Sequence, residues 1–162
     1  MALSWNQIMD NAIRFSKKFE NVVREEADGK SFQREFIELF GVKDAREVGF
    51  FEYRVSKDDS KKGYIDYLYP GKIAIEMKSS GKNLDEAYKQ LKEYVVHLNT
   101  EDMPKLMMVC DFQNIQLYSR TTNKQIKFMT KDLHKYVKWF SDIAGDQPAR
   151  LYDQQEEVIM NA

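Results

Sequence analysis

The sequence predicts an α/β protein: a central mixed sheet flanked by helices, two of which precede the first strand. Three observations carry that prediction. Apolar residues recur at helical spacing up to about position 41, and from Val48 the period shortens to two in three aromatic or β-branched stretches. A helical segment then separates these from a second set of strands. A chain of 162 residues with 43% hydrophobic content suits one domain with a proper core.

Ser4 followed by Gln7 is a capping box, and Trp5, Ile8, Ala12, Phe15, Phe19 and Val22 extend a first helix to about Ala27. In "SFQREFIELFGV" the side chains of Phe32, Phe36, Leu39 and Phe40 share one side of a second helix, with Gly41 at its C-cap. "VGFFEYRV", "YIDYLY" and "KIAIEMK" read as a three-stranded antiparallel meander, punctuated by "SKDDSKKG" and "PG". Pro-Gly suits a type II turn, a poor two-residue hairpin connector, so a longer loop is expected there. "LDEAYKQLKEYVVHL" returns to helical spacing, with Asp85 and Glu86 in its first turn, where the helix dipole favours acids. "KLMMVCDF" is apolar enough for a strand covered on both faces, "NIQLYS" and "KQIKFM" are shorter strands, and "KDLHKYVKWFSDIA" closes the domain as a helix. Residues 1–145 therefore form the domain, with helices over 1–41 and the sheet and its flanking helices over 48–143. Residues 146–162 have too little apolar content to pack alone and read as a linker.

Composition excludes several classes. One cysteine, Cys110, rules out an internal disulfide, and His97 and His134 have no partner ligands for zinc. No apolar run suits a signal peptide or a membrane span, so a cytoplasmic protein is expected. The net charge of −1 announces no nucleic-acid partner. Acidic residues concentrate after position 140, however, which leaves the rest of the chain mildly basic.

The chemistry gathers in "GYIDYLYPGKIAIEMKS". Strand alternation sets Glu76 and Lys78 on one face, and the turn at Pro70–Gly71 can bring Asp66 beside Glu76. Two close carboxylates repel, and proton sharing or a divalent cation relieves them. Oxygen-only ligands favour Mg²⁺, which polarises a phosphodiester and lowers the pKa of a bound water. Lys78 could then orient that water. The same residues also suit a cross-face ion pair on a solvated sheet, and pattern alone leaves both readings open.

Asp66, nine intervening residues, then Glu76-Met77-Lys78 resembles the signature of the PD-(D/E)XK nucleases, with Ile65 where that signature has proline. Gln90 and Tyr94 in "YKQLKEY" are similar to the Gln-x-x-x-Tyr of the RecB-type branch. "SFQREFIELFG", "GYIDYLYPGKIAIEMKSSGKNLDEAYKQLKEY" and "MMVCDFQNIQLY" resemble the N-terminal endonuclease region of MmeI-type (type IIG/IIL) single-chain restriction-modification enzymes, over about Leu3 to Ile143. The resemblance implies a restriction-endonuclease-like fold and a Mg²⁺-dependent endonuclease of double-stranded DNA, with Mn²⁺ able to substitute. It also implies metal ligands at Asp66, Glu76 and the Met77 carbonyl, with Lys78 assisting the attacking water. An acid on the first core helix completes such sites; Glu35 is the expected match, with Glu25, Glu26 and Glu38 as alternatives. Gln90 and Tyr94 join the expected site.

Such enzymes continue into a methyltransferase and target-recognition region, whose S-adenosylmethionine loop and Asn-Pro-Pro-aromatic motif are not in this sequence. The expectation is a nuclease domain alone, a monomer or weak dimer. A non-catalytic DNA-binding or docking module and a free-standing repair or mobile-element nuclease are the alternatives. For phosphate contacts the candidates are Lys82, Arg120 and Lys124, the last two within the lysine-rich stretch 120–138. Cys110 is expected to be a small buried hydrophobe, and Asp111 a turn or cap residue.

Overall fold

The computed structural model describes residues 2–56 and 62–144. The expected linker, 146–162, lies outside the described residues. Helix α1 (Trp5–Lys18) starts at the capping box: Ser4 Oγ accepts the Gln7 N–H, and the Gln7 side chain accepts the Ser4 N–H. It ends earlier than its apolar spacing suggests. Phe19 is its C-cap, and α2 (Glu25–Glu38) begins well before "SFQREF". The first-turn acids Glu25, Glu26 and Asp28 suit the start of a helix. Gly41, at φ +103°, follows α2 in the left-handed region that glycine adopts without strain. A short α3 (Ala45–Val48) leads into the sheet.

The sheet has six strands in sequence order: β1 (Phe50–Ser56), β2 (Lys62–Tyr69), β3 (Ile73–Met77), β4 (Leu106–Cys110), β5 (Asn114–Ser119) and β6 (Lys124–Met129). All neighbours are antiparallel except β3 and β4, which the crossover helix α4 (Leu84–Val95) joins in parallel. The turn between β2 and β3 bears out the longer loop. Tyr69 pairs with Ile73 across Pro70, Gly71 and Lys72, the Lys72 N–H donates to the Tyr69 carbonyl at 2.9 Å, and Gly71 takes the positive φ a type II turn requires.

Two cores result, one per sheet face. Ile73, Ile75, Met77, Met108, Cys110 and Leu117 point toward α1 and α2, where Phe15, Phe19, Phe32, Phe36 and Phe112 pack ring against ring, Phe19 stacked on Phe112 and the others edge to face or tilted. Each such buried phenylalanine contributes about 1.5–3 kcal/mol. On the other face Ala74, Met107 and Val109 pack under Leu84, Ala87, Leu91, Tyr94 and Val95 of α4. β4, between them, is buried at every position.

The closing segment is not one continuous helix. It comprises 3-10 turns at Thr130–Lys135 and Val137–Phe140 and a last α-turn, α5 (Ser141–Ala144). Tyr136, at φ −119°, interrupts the helical path, and its ring stacks on Phe128 at a centroid distance of 4.4 Å. Leu133, Val137, Phe140 and Ile143 are still buried, which is why the sequence shows helical spacing there.

Candidate active site

The ladder between β2 and β3 runs from Tyr69↔Ile73 to Tyr67↔Ile75. At the next position Asp66 Oδ2 accepts the Met77 N–H at 2.8 Å, so a side chain takes over a bond the strand would have made. This brings Asp66 against the end of β3. Glu76, two residues after Ala74, shares its face of the strand and so points to the α4 side, only 5% exposed. Lys78 Nζ lies 3.4 Å from Glu76 Oε2.

Burial pushes the Glu76 carboxyl up to about 8; the Asp66 charge adds to this, and Lys78 opposes it. Burial also raises Asp66, against the Met77 N–H that stabilises its ionised form. The two carboxyls stand close enough for each to shift the other's titration, as a close acid pair does. Glu76 Oε1 is buried with no hydrogen-bond partner. A buried, unpaired carboxylate oxygen in an all-oxygen donor set fits a hard divalent cation. Asp66, Glu76 and the Met77 carbonyl are the groups that would hold one. Among the described residues no three His, Cys, Asp or Glu side chains converge as a ready-made metal cage.

Of the helix acids considered from sequence, the structure brings Glu25 to this place and not Glu35. Glu35 pairs with Lys18 at 2.6 Å and lines the α1–α2 groove with Asn11 and Arg14. Glu38 accepts the Ala45 N–H, away from the pair. Glu25 begins α2, its N–H donating to Ser79 Oγ at 3.0 Å just beyond Lys78. Burial raises its carboxyl, the Asp66 charge adds to that, and Lys78 and Lys82 act against it. Glu52 is a further acid that the sequence reading missed. It lies between Phe51 and Tyr53, which pair with Tyr67 and Ile65 on either side of Asp66, at a left-handed φ of 51°, its charge raising Asp66, and it pairs with Lys30 at 3.3 Å. No sequence signal marks it, because a glutamate in an edge strand reads as solvated.

Gln90 Nε2 donates to the Tyr94 hydroxyl at 3.0 Å on α4, and the Tyr94 ring covers Gly63 of β2 so closely that a Cβ there would collide with it. The pair thus stands on the Glu76 side of the sheet. Lys82 follows β3 at the rim of a 510 Å³ cleft, with Gly81, Leu84 and Gln116. Arg120 and Lys124 are elsewhere. β5 and β6 reach the Glu76 end of the sheet at Gln116 and Lys127, whereas Arg120 and Lys124 lie at the opposite end. There Arg120 donates to the Pro104 carbonyl at 2.9 Å. Both sit at the turn between β5 and β6, which is level with Ile73 at the start of β3. Cys110 is wholly buried, and Asp111 is the turn residue expected, its Oδ1 accepting the Gln113 and Asn114 N–H groups.

Comparison with known proteins agrees with this architecture. No curated protein matches the chain. Among solved structures it is similar to one described as "cryoEM structure DrdV-DNA complex", at TM-score 0.55 and 12% identity. The similarity covers 84% of this chain and 14% of that one, a likeness of fold to a small part of a much longer protein. Residues 10–162 match the family described as "MmeI, N-terminal domain". This chain belongs to the MmeI N-terminal domain family.

Proposed function

We propose that this domain is a Mg²⁺-dependent DNA endonuclease, the cleavage module of a restriction-modification enzyme. One observation carries the reading: a buried Glu76 beside a half-buried Asp66, with an unpartnered Glu76 oxygen and Lys78 within 3.4 Å. An ordinary surface ion pair would leave neither carboxyl buried nor an oxygen without a partner. Asp66, Glu76 and the Met77 carbonyl are assigned as ligands, with Glu25 as the helix-borne acid in place of Glu35. A bound divalent cation supplies Lewis-acid activation of water and charge neutralisation at phosphorus. Lys78 orients the attacking water from the Glu76 side and stabilises charge building on the phosphoryl oxygens. Gln90 and Tyr94 position the strand near Gly63, and Lys82 contacts a neighbouring phosphate.

Among the described residues, the lack of three converging metal-ligating side chains favours a second reading, a non-catalytic DNA-binding or docking module. A plasmid-nicking assay with Mg²⁺ separates the two. Wild type should nick supercoiled DNA and Asp66→Ala should not. Calorimetric titration should find one Mn²⁺ site, and its absence at millimolar metal would favour the second reading.

A further inference from the structure

We infer that Ser79 is a positioning residue, which holds the Glu25 carboxylate at the cation site by capping the first turn of α2. The inference rests on the proposed reading of that site and assigns it a supporting residue. Helix α2 has no cap of its own: Arg24 occupies the N-cap position and makes no side-chain cap bond. The Glu25 N–H donates instead to Ser79 Oγ at 3.0 Å, a hydroxyl 54 positions away in sequence. A serine or asparagine at position 24 would cap the helix locally, with no link to the sheet. Here the hydroxyl comes from the residue after Lys78.

The residues beside Ser79 are pinned as well. The Lys78 N–H donates to the Cys110 carbonyl at 2.8 Å, and the Ser80 N–H donates to the Val23 carbonyl at 3.0 Å. The Ser80 hydroxyl bonds the Gln113 carboxamide oxygen, and Gln113 Nε2 donates to the Val22 carbonyl at 2.8 Å. Three consecutive residues therefore tie the end of β3 to β4, to the α1–α2 connection and to α2 itself. The arrangement locks the spacing between a helix-borne carboxylate and the lysine of the catalytic strand. A cap serving stability alone has no need of that origin.

Mn²⁺ affinity, measured by calorimetry without substrate, tests this in wild type, Ser79→Ala, Ser79→Thr, Glu25→Gln and the Ser79→Ala/Glu25→Gln double variant. Ser79 is part-exposed, so its truncation leaves a folded protein. Ser79→Ala should weaken binding about 10-fold, the usual cost of removing a group that orients a metal ligand. Ser79→Thr, which keeps the hydroxyl, should bind like wild type. In the Glu25→Gln background Ser79→Ala should cost less than about twofold, because its effect runs through Glu25. Ser4→Ala, which removes the remote cap of α1, should leave affinity unchanged and controls for general destabilisation. If Ser79→Ala binds as wild type does, or costs as much with Glu25 replaced, the inference is overturned while the site stands. A wild type that binds no Mn²⁺ overturns the reading of the site, and this inference with it.

Discussion

Replacing Glu76 with glutamine should make the metal-free protein more stable at alkaline pH while abolishing metal binding. The unfolded glutamate loses its proton near 4.5, and the folded one near 8. Between these values the native state binds more protons than the unfolded state, so stability falls as pH rises through that window. At 1.36 kcal/mol per unit the full displacement is a ceiling of about 5 kcal/mol above pH 8. Relaxation and water entry reduce this, and glutamine forfeits the Lys78 contact, so about 2 kcal/mol is the expected gain. For a chain of this length that is about 4–8 °C in Tm. Calorimetric melts of both proteins in EDTA at pH 8.5 and pH 4.5 provide the assay. The variant should melt higher at pH 8.5, and the difference should vanish at pH 4.5, where the wild-type acid is largely protonated in the native state. Adding Mn²⁺ should raise the wild-type Tm and not the variant's. A glutamine variant less stable than wild type at pH 8.5 in EDTA would mean that the carboxylate is well compensated in the fold, and the account of a site strained for a cation would fail.

Lys78→Ala should lose cleavage yet keep Mn²⁺ affinity near wild type, because an ammonium is no ligand; single-turnover cleavage at wild-type rate would show the lysine to be structural. Gly63→Ala drives a methyl group into the Tyr94 ring and should destabilise by about 1–3 kcal/mol, read as a lower urea midpoint; an unchanged midpoint would mean that α4 yields freely there. With one acid pair per copy, the domain should be a monomer or weak dimer by light scattering and should accumulate nicked plasmid, whereas linear product without a nicked intermediate would reveal paired centres.

What the sequence determined by itself is what short-range geometry controls. Alternation in "YIDYLY" and "KIAIEMK" and the turn between them set Asp66, Glu76 and Lys78 at one sheet end, because strand period and hairpin connection leave little else possible. The capping box, the glycine after α2, the crossover helix and the fully buried β4 were legible for the same reason. Tertiary structure decided the rest. The start of α2 at Glu25 is capped by a serine 54 positions away, a contact that local sequence does not display. That placement selects Glu25 over Glu35, since an acid's place on a helix surface matters only once the helix is docked. Arg120 and Lys124 looked like companions of Lys127 in a basic stretch, but they sit at the β5–β6 turn, level with Ile73, whereas Lys127 lies farther along β6, level with Glu76. Periodicity likewise could not distinguish a helix from 3-10 turns in the closing segment, because both bury Leu133, Val137 and Phe140, and the stacking of Tyr136 on Phe128 appears only when β6 lies beneath it.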